Sequence, residues 1–292
     1  MKYIIISILV LFSLHSCEDY LEKEPVSTVT PEQFFTSEAN LNSYAIGCYD
    51  MFPTHGQWDF GTFEADKHTD NMAAMQPSAI YEPGLYLVPQ SGGAWWFDNI
   101  YRANYFLEIA LPLWRNGQIE GNESLIRHSI GEMYFIRAFA YFQRVKELGD
   151  FPILKQTLPD NRETLIEHSK RMPRNEVARF IISDLDSAMV YLQEDSPDRN
   201  NNRLSKYAAL LFKSRVALFE GTWLKYFKGT AFVPNGPGWP GKDKAYNQNY
   251  AFPSGDINTE IDFFLEIAMN AAKEVADEIP LVGNTGEFQG GP

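Results

Sequence analysis

"LIRHSIGEMYFIRAFAYFQRVKELGD", residues 125–150, decides the fold. Ile126, Ile130, Met133, Ala138, Tyr141, Val145 and Leu148 recur at helical spacing along one face. Phe135, Phe139 and Phe142 form a second apolar face. A helix apolar on two sides has to be covered on two sides, so this segment belongs in the middle of a helical stack. Ala138 and Ala140, set among large rings, leave room for a neighbouring helix to come close. Gly149 is placed where a C′ glycine ends a helix by taking positive φ.

Similar patterns lie on either side. "TPEQFFTSEANLNSYAIGCYDMF" (30–52) predicts a helix capped by Thr30, opened by Pro31, with Leu41, Tyr44, Ala45 and Cys48 on its stripe. "WWFDNIYRANYFLEIALPL" (95–113) predicts another, with Trp96, Ile100, Tyr101, Asn104 and Leu107 inward. After a linker with Pro152, Pro159 and Pro173, the stripe Val177, Phe180, Ile181, Leu185, Ala188 and Leu192 marks a further helix. The next has Ser205 as cap and Ala208, Leu211, Phe212, Val216 and Phe219 inward. A Gly/Pro/Asn-rich excursion (229–255) precedes the last, with Phe264, Ile267, Ala268, Ala271, Val275 and Ile279 inward. The last four helices fall into two pairs, each a helix, a linker and a second helix. Such pairs bury a continuous core by stacking. No stretch alternates as a strand does. The expected fold is mostly α: a tetratricopeptide-like helical repeat scaffold with long irregular loops.

The amino terminus has a different purpose. Lys2 precedes the apolar run Tyr3–Leu14, which is broken only by Ser7 and Ser13. That run is too short to cross a hydrocarbon core, which takes about 20 residues, and it describes an export signal. Leu14-His15-Ser16-Cys17 resembles a lipobox, which implies lipidation of Cys17 as the first mature residue. Several acyl chains hold a protein to a membrane where one holds only weakly. The expected organisation is a signal peptide at 1–16, a tether at 17–30 and a helical domain at 31–292.

Composition bounds the function. The formal charge is −13, and cleavage after residue 16 removes Lys2 and no acid, giving −14. This argues against nucleic acid, whose phosphates are met by Lys and Arg, and against docking on anionic lipid through protein charge. With Cys17 lipidated, Cys48 has no partner and reads as a small buried hydrophobe. Packing alone then holds the fold.

Several stretches in order resemble the SusD/RagB family, the surface lipoproteins of Bacteroidetes that capture nutrients. They are "SCEDYLEKEP", "WWFDNIYRANYFLE", "GEMYFIRAFAYFQRVKELGDFPIL", "RNEVARFIISDLDSAM" and "NRLSKYAALLFKSRVALFEG". The resemblance implies a tetratricopeptide-like scaffold with a ligand face built from loops. It implies a partner, a TonB-dependent SusC-type transporter, and a place on the outer membrane facing the exterior. Glu18 and Asp19 are similar to the family's surface-export signals. Members are typically about twice as long, so residues 31–292 correspond to an N-terminal portion without the C-terminal half that contributes to the ligand site.

The expected activity is binding: capture of an oligosaccharide and its transfer to the transporter, with no cofactor. The alternatives are a peptide-capturing RagB-type protein or a surface scaffold without a small ligand. A sugar site is mostly apolar with few placed polar groups. The irregular segment 53–93 supplies aromatic rings, carboxylates and amides, and irregular segments of that length are usually functional. The family's binding loops lie in this part of the chain, which favours Trp58, Asp70, Asn71 and Trp95 as ligand contacts. Trp96 and Tyr101 are expected in the core, and Trp223 and Trp239 are weaker candidates. Asp70-Asn71 could equally cap a helix at Met72. There is no H-E-x-x-H, Cys-x-x-Cys, G-x-S-x-G or P-loop. "DKHTDN" (66–71) lacks the alternating oxygen ligands and mid-loop glycine of an EF-hand, so no metal is expected.

Overall fold

The structure, a computed structural model, describes residues 30–54, 82–85, 93, 95–198 and 202–279. The expected signal peptide (1–16), Cys17, most of the expected tether, Trp58, Asp70 and Asn71 lie outside the described residues. The helices are α1 (Pro31–Phe34), α2 (Glu38–Gly47), α3 (Asp98–Arg115), α4 (Glu123–Leu148), α5 (Arg162–His168), α6 (Arg174–Tyr191), α7 (Lys206–Tyr226) and α8 (Ile257–Glu278). Among the described residues there is no strand, only isolated bridges between Ser37 and Glu120 and between Phe151 and Met172.

The expected first helix is divided. Thr30 and Gln33 form a capping box on α1, but Ser37 then caps α2 by accepting from the Asn40 N–H. A serine able to satisfy a free N–H offers the chain a place to restart, and α2 finishes in a 3-10 turn, Cys48–Met51. Cys48 is buried and free, and loss of solvation pushes its thiol up to about 11.

α4 is covered on both sides, as its two apolar faces require. Phe35, Leu41, Phe106, Ile130 and Met133 form one core with α2 and α3. Tyr141, Phe151, Ile181, Leu185, Val216 and Phe264 form the other with α6, α7 and α8. α4 packs mainly on α6 and α7 mainly on α8, which are the two expected pairs. A Cβ on Gly131 would come within 2.8 Å of the Leu192 backbone nitrogen, so this glycine sets how closely α4 meets the end of α6. Gly149 has φ 72° and ends α4 as expected.

Three details differ from the periodicity. Leu211 is 53% and Ile279 50% exposed. α7 is rotated so that Ala209, Leu210, Ala217 and Leu224 are buried. The cause is close packing at Gly221, where an added Cβ would lie 2.9 Å from the Leu265 side chain. α5 was not foreseen, because none of its residues is buried and it has no apolar stripe to reveal it.

Four arginine–carboxylate clusters join the helices. Arg137 of α4 holds Asp184 of α6 through two bonds of 2.7 Å, and donates to the Asn104 side chain of α3 at 2.8 Å. Arg174 of α6 pairs with Glu220 of α7 at 2.9 Å. Arg179 of α6 pairs with Glu260 of α8 at 2.7 Å, and Asn175 donates to the same carboxylate. Arg203, just before α7, pairs with Glu132 of α4 and reaches Asn42 of α2. Tyr49 adds a 2.5 Å bond to Glu132. Breaking such a pair leaves a buried charge without compensation, at a cost of about 3–5 kcal/mol, whereas apolar replacement of both partners is often neutral.

Arg137→Ala should therefore lower unfolding free energy in urea by about 3–5 kcal/mol. The double change Arg137→Met, Asp184→Leu should recover most of that loss. Two of the carboxylates should make acid destabilising, against Asp184 and Asp150, whose burial raises their pKa and works the other way. Burial works to raise the Glu132 pKa, but bonds from Arg203 and His128 outweigh it and hold the carboxyl below its ordinary 4.5. Glu260 is likewise held down, against burial, by Arg179, Asn175 and Ser254. The unfolded chain therefore takes up these protons at higher pH than the folded one, so this stability is complete above about pH 4.5 and drains as pH falls. Urea midpoints measured on acidification should show that fall, and Glu132→Gln should flatten it.

Candidate functional site

The candidate site is built where α3 begins. Residues 95–97 precede the helix, which starts at Asp98. Their side chains therefore do not follow helical rotation. Trp95 stacks on Phe151 with centroids 5.5 Å apart, and Phe97 stacks on the same ring at 4.9 Å. Trp96, between them, projects away and is 66% exposed. Alternation of this kind is the habit of non-helical backbone. It corrects the expectation that Trp96 is core. Tyr101 is corrected too, being 52% exposed and stacked on Tyr105.

Trp96 lines a cleft of about 300 Å³ with Asp98, Asn99, Phe139, Gln143 and Arg144. α4 supplies the floor through Phe139 and Ala140, and Phe139 is wedged edge-on against Phe52 at 4.9 Å. Asn99 Oδ1 accepts from Arg102 at 3.4 Å, and Arg102 also holds Asp50 at 3.0 Å and the Gly47 carbonyl at 2.5 Å. Arg144 pairs with Glu147 at 3.1 Å. The cleft thus combines an exposed indole, a carboxylate and two amides. Such a set can pack an apolar ligand face against a ring while pairing its hydroxyls.

A neighbouring pocket of about 280 Å³ lies along Phe97, Tyr101, Leu154, Leu158, Leu165 and His168. Its wall is fixed by Tyr141, whose hydroxyl accepts from the Leu154 N–H at 2.7 Å and donates to the Leu154 carbonyl at 3.1 Å. Desolvation raises the Tyr141 pKa, so that hydroxyl keeps its proton. Asn104, nearly fully buried, donates to the carbonyls of Leu154 and Gln156 at 3.0 and 3.2 Å. The linker after α4 is therefore held down against α3 and α4.

Of the four favoured ligand contacts, the structure describes Trp95 alone. It is 38% exposed, with ring surface taken up by Phe151 and by the Arg171 guanidinium 4.4 Å from its centroid. Trp223 and Trp239 act as supports. The Trp223 indole donates to the Phe232 carbonyl at 3.0 Å under the Arg174 guanidinium. Trp239 is 3% exposed, and its indole donates to Asp150 at 2.8 Å. Asp150 also accepts the Arg174 N–H at 2.9 Å, tying the end of α4, the start of α6 and the loop before α8. Burial pushes the Asp150 carboxyl above its ordinary value, against the pull of both donors. Among the described residues no group of three or more His, Cys, Asp or Glu could hold a metal ion. No helix among them is long and apolar enough to cross a membrane.

Comparison with known proteins gives the family. A family model of SusD-like proteins, described as starch-binding and associating with the outer membrane, matches residues 19–218. The chain belongs to the SusD-like family. SusD-like protein P25 of Formosa agariphila is 26% identical over 241 residues, 75% of this chain and 43% of that protein. SusD-like protein P2 of the same organism is 28% identical over 257 residues, 80% and 46% of the two chains. A SusD-like protein from Bacteroides fragilis shares the fold, with a TM-score of 0.51 and 23% identity over 79% of this chain and 42% of that one. The chain thus spans less than half the length of these relatives. The family's description is of binding and not of catalysis.

Removing the Asp150 bracket should release Trp239. Asp150→Ala should cost about 1–3 kcal/mol, since two buried N–H donors lose their acceptor, and should shift tryptophan emission to longer wavelength. An unchanged spectrum would contradict the bracket.

Proposed function

We propose that this SusD-like chain captures an oligosaccharide at the cell surface, with Trp96 as the stacking platform. The observation behind this reading is the 66% exposed indole in a cleft shared with Asp98, Asn99 and Gln143. A large exposed ring in a soluble surface has a cost in water, and polar groups that accept and donate around it suit a ligand rich in hydroxyls. The family's description as starch-binding supports the ligand class.

In this proposal Trp95 supports the platform and lends its remaining edge to the ligand. Trp58, Asp70 and Asn71 add contacts from the loop 53–93, a part of the reading that rests on residue types and on where the family's binding loops lie. Cys17 bears the lipid, residues 17–30 serve as tether, and the protein faces outward. The captured chain passes to a SusC-type TonB-dependent transporter. Outer-membrane association in the family's description supports this placement.

Calorimetry against a glycan panel that includes maltooligosaccharides tests the proposal. At least one glycan should bind, and Trp96→Ala should weaken it by about 2 kcal/mol, near thirtyfold in Kd. Binding that survives the substitution would contradict the platform. Heat with peptides and with no sugar would transfer the reading to peptide capture.

A further inference from the structure

A second cleft lies beside Arg171, whose guanidinium stacks on Trp95. It measures about 380 Å³ and is lined by Asp150, Ser169, Arg171, Asp243, Lys244 and Tyr246. Arg171 is fixed along its backbone. Its N–H donates to the Tyr246 hydroxyl at 3.2 Å, and its carbonyl accepts from Asn247 at 3.2 Å. The next residue, Met172, is bridged to Phe151 by two backbone bonds of 3.1 and 3.2 Å.

The side chain is held as well, yet without an acid. Its guanidinium carbon sits 4.4 Å from the centre of the Trp95 ring. Among the described residues no carboxylate lies within ion-pair distance of it, whereas Arg144 and Arg174, which line the neighbouring clefts, have Glu147 and Glu220. Arg171 is exposed to solvent, so its charge is open to a ligand, and among the described residues its one side-chain contact is the Trp95 ring. Lys244, also exposed, adds a second cation to the lining. Of the two acids, Asp150 is already bonded to the Arg174 N–H and the Trp239 indole, and Asp243 is exposed.

We infer that this cleft receives a carboxylate-bearing sugar, a uronate residue, of the captured glycan. Arg171 would meet the carboxylate with its planar fork, the geometry that guanidinium matches and ammonium does not. Stacking on Trp95 pre-positions that fork. Lys244 completes the charge, while Asp243 and Tyr246 face the hydroxyls of the same ring. Trp95 and Trp96 are adjacent, with Cα atoms about 3.8 Å apart, so a single oligosaccharide can use both clefts. The inference rests on the saccharide reading of the Trp96 cleft and adds to it a ligand class.

The test uses the whole chain and paired probes: oligogalacturonides, oligoalginates and glucuronoxylan oligosaccharides, each beside the same chain with its carboxyls reduced to alcohols. By calorimetry at low salt, at least one acidic chain should bind about tenfold or more tightly than its reduced form, and high salt should shrink that gap. Arg171→Gln should bring the pair to within about twofold while the reduced chain keeps its affinity; Arg171→Lys should restore only part of the gap. Circular dichroism confirms that the variants fold. Equal affinities for acidic and reduced chains, or a preference untouched by Arg171→Gln, would overturn the uronate cleft. If reduced chains bind and lose affinity on Trp96→Ala without any acid preference, capture stands and this inference falls. If no saccharide binds, both fall together.

Discussion

Buried arginine–carboxylate pairs fix how the helices sit on one another. Apolar packing drives the stack together, but it tolerates sliding, because one row of methyl groups resembles the next. A planar guanidinium closing on a carboxylate with two short bonds does not slide. Arg137–Asp184, Arg174–Glu220, Arg179–Glu260 and Arg203–Glu132 each join different helices, and every one of these carboxylates is nearly or wholly buried. They add little net stability over an apolar substitute. What they contribute is register.

That register is transmitted to the Trp96 cleft and the pocket beside it. Arg137 grips Asn104, and Asn104 holds the carbonyls of the linker that walls the apolar pocket. Arg174 sits beside Asp150, which anchors Trp239 and with it the loop before α8. Phe151, just beyond Asp150, is the ring on which both Trp95 and Phe97 stack. Trp96 is exposed because its two neighbours are occupied by the core. The exposure of Trp96 is thus a consequence of how the helices are locked, not an accident of a loose loop.

Much of the fold was legible in the sequence because α4 is apolar on two faces, and the stripe of α6 was read residue for residue. What was missed has physical causes. The rotation of α7 depends on Gly221 and Leu265, a contact between helices that no single-helix period contains. Trp96 lies before Asp98, in backbone that helical rotation does not describe, whereas Tyr101 is inside α3 and is exposed beside Tyr105 although the stripe included it. The clusters had a visible signal: Glu132, Arg137, Asp184 and Glu220 are charged positions embedded in apolar surroundings, and such residues are rarely buried unless paired. The four pairings, at sequence separations of 46 to 81, could not be read from spacing. Of the ligand candidates, Trp95 is partly exposed and stacked on Phe151, and the residue beside it is the more exposed one.

The most direct measurement is nuclear magnetic resonance of the tryptophan indole N–H groups, with Trp96 assigned through Trp96→Phe. Saccharide titration should move the Trp96 signal strongly and leave that of Trp239, buried against Asp150, in place. A Trp96 signal that stays fixed while saccharide binds would contradict the account.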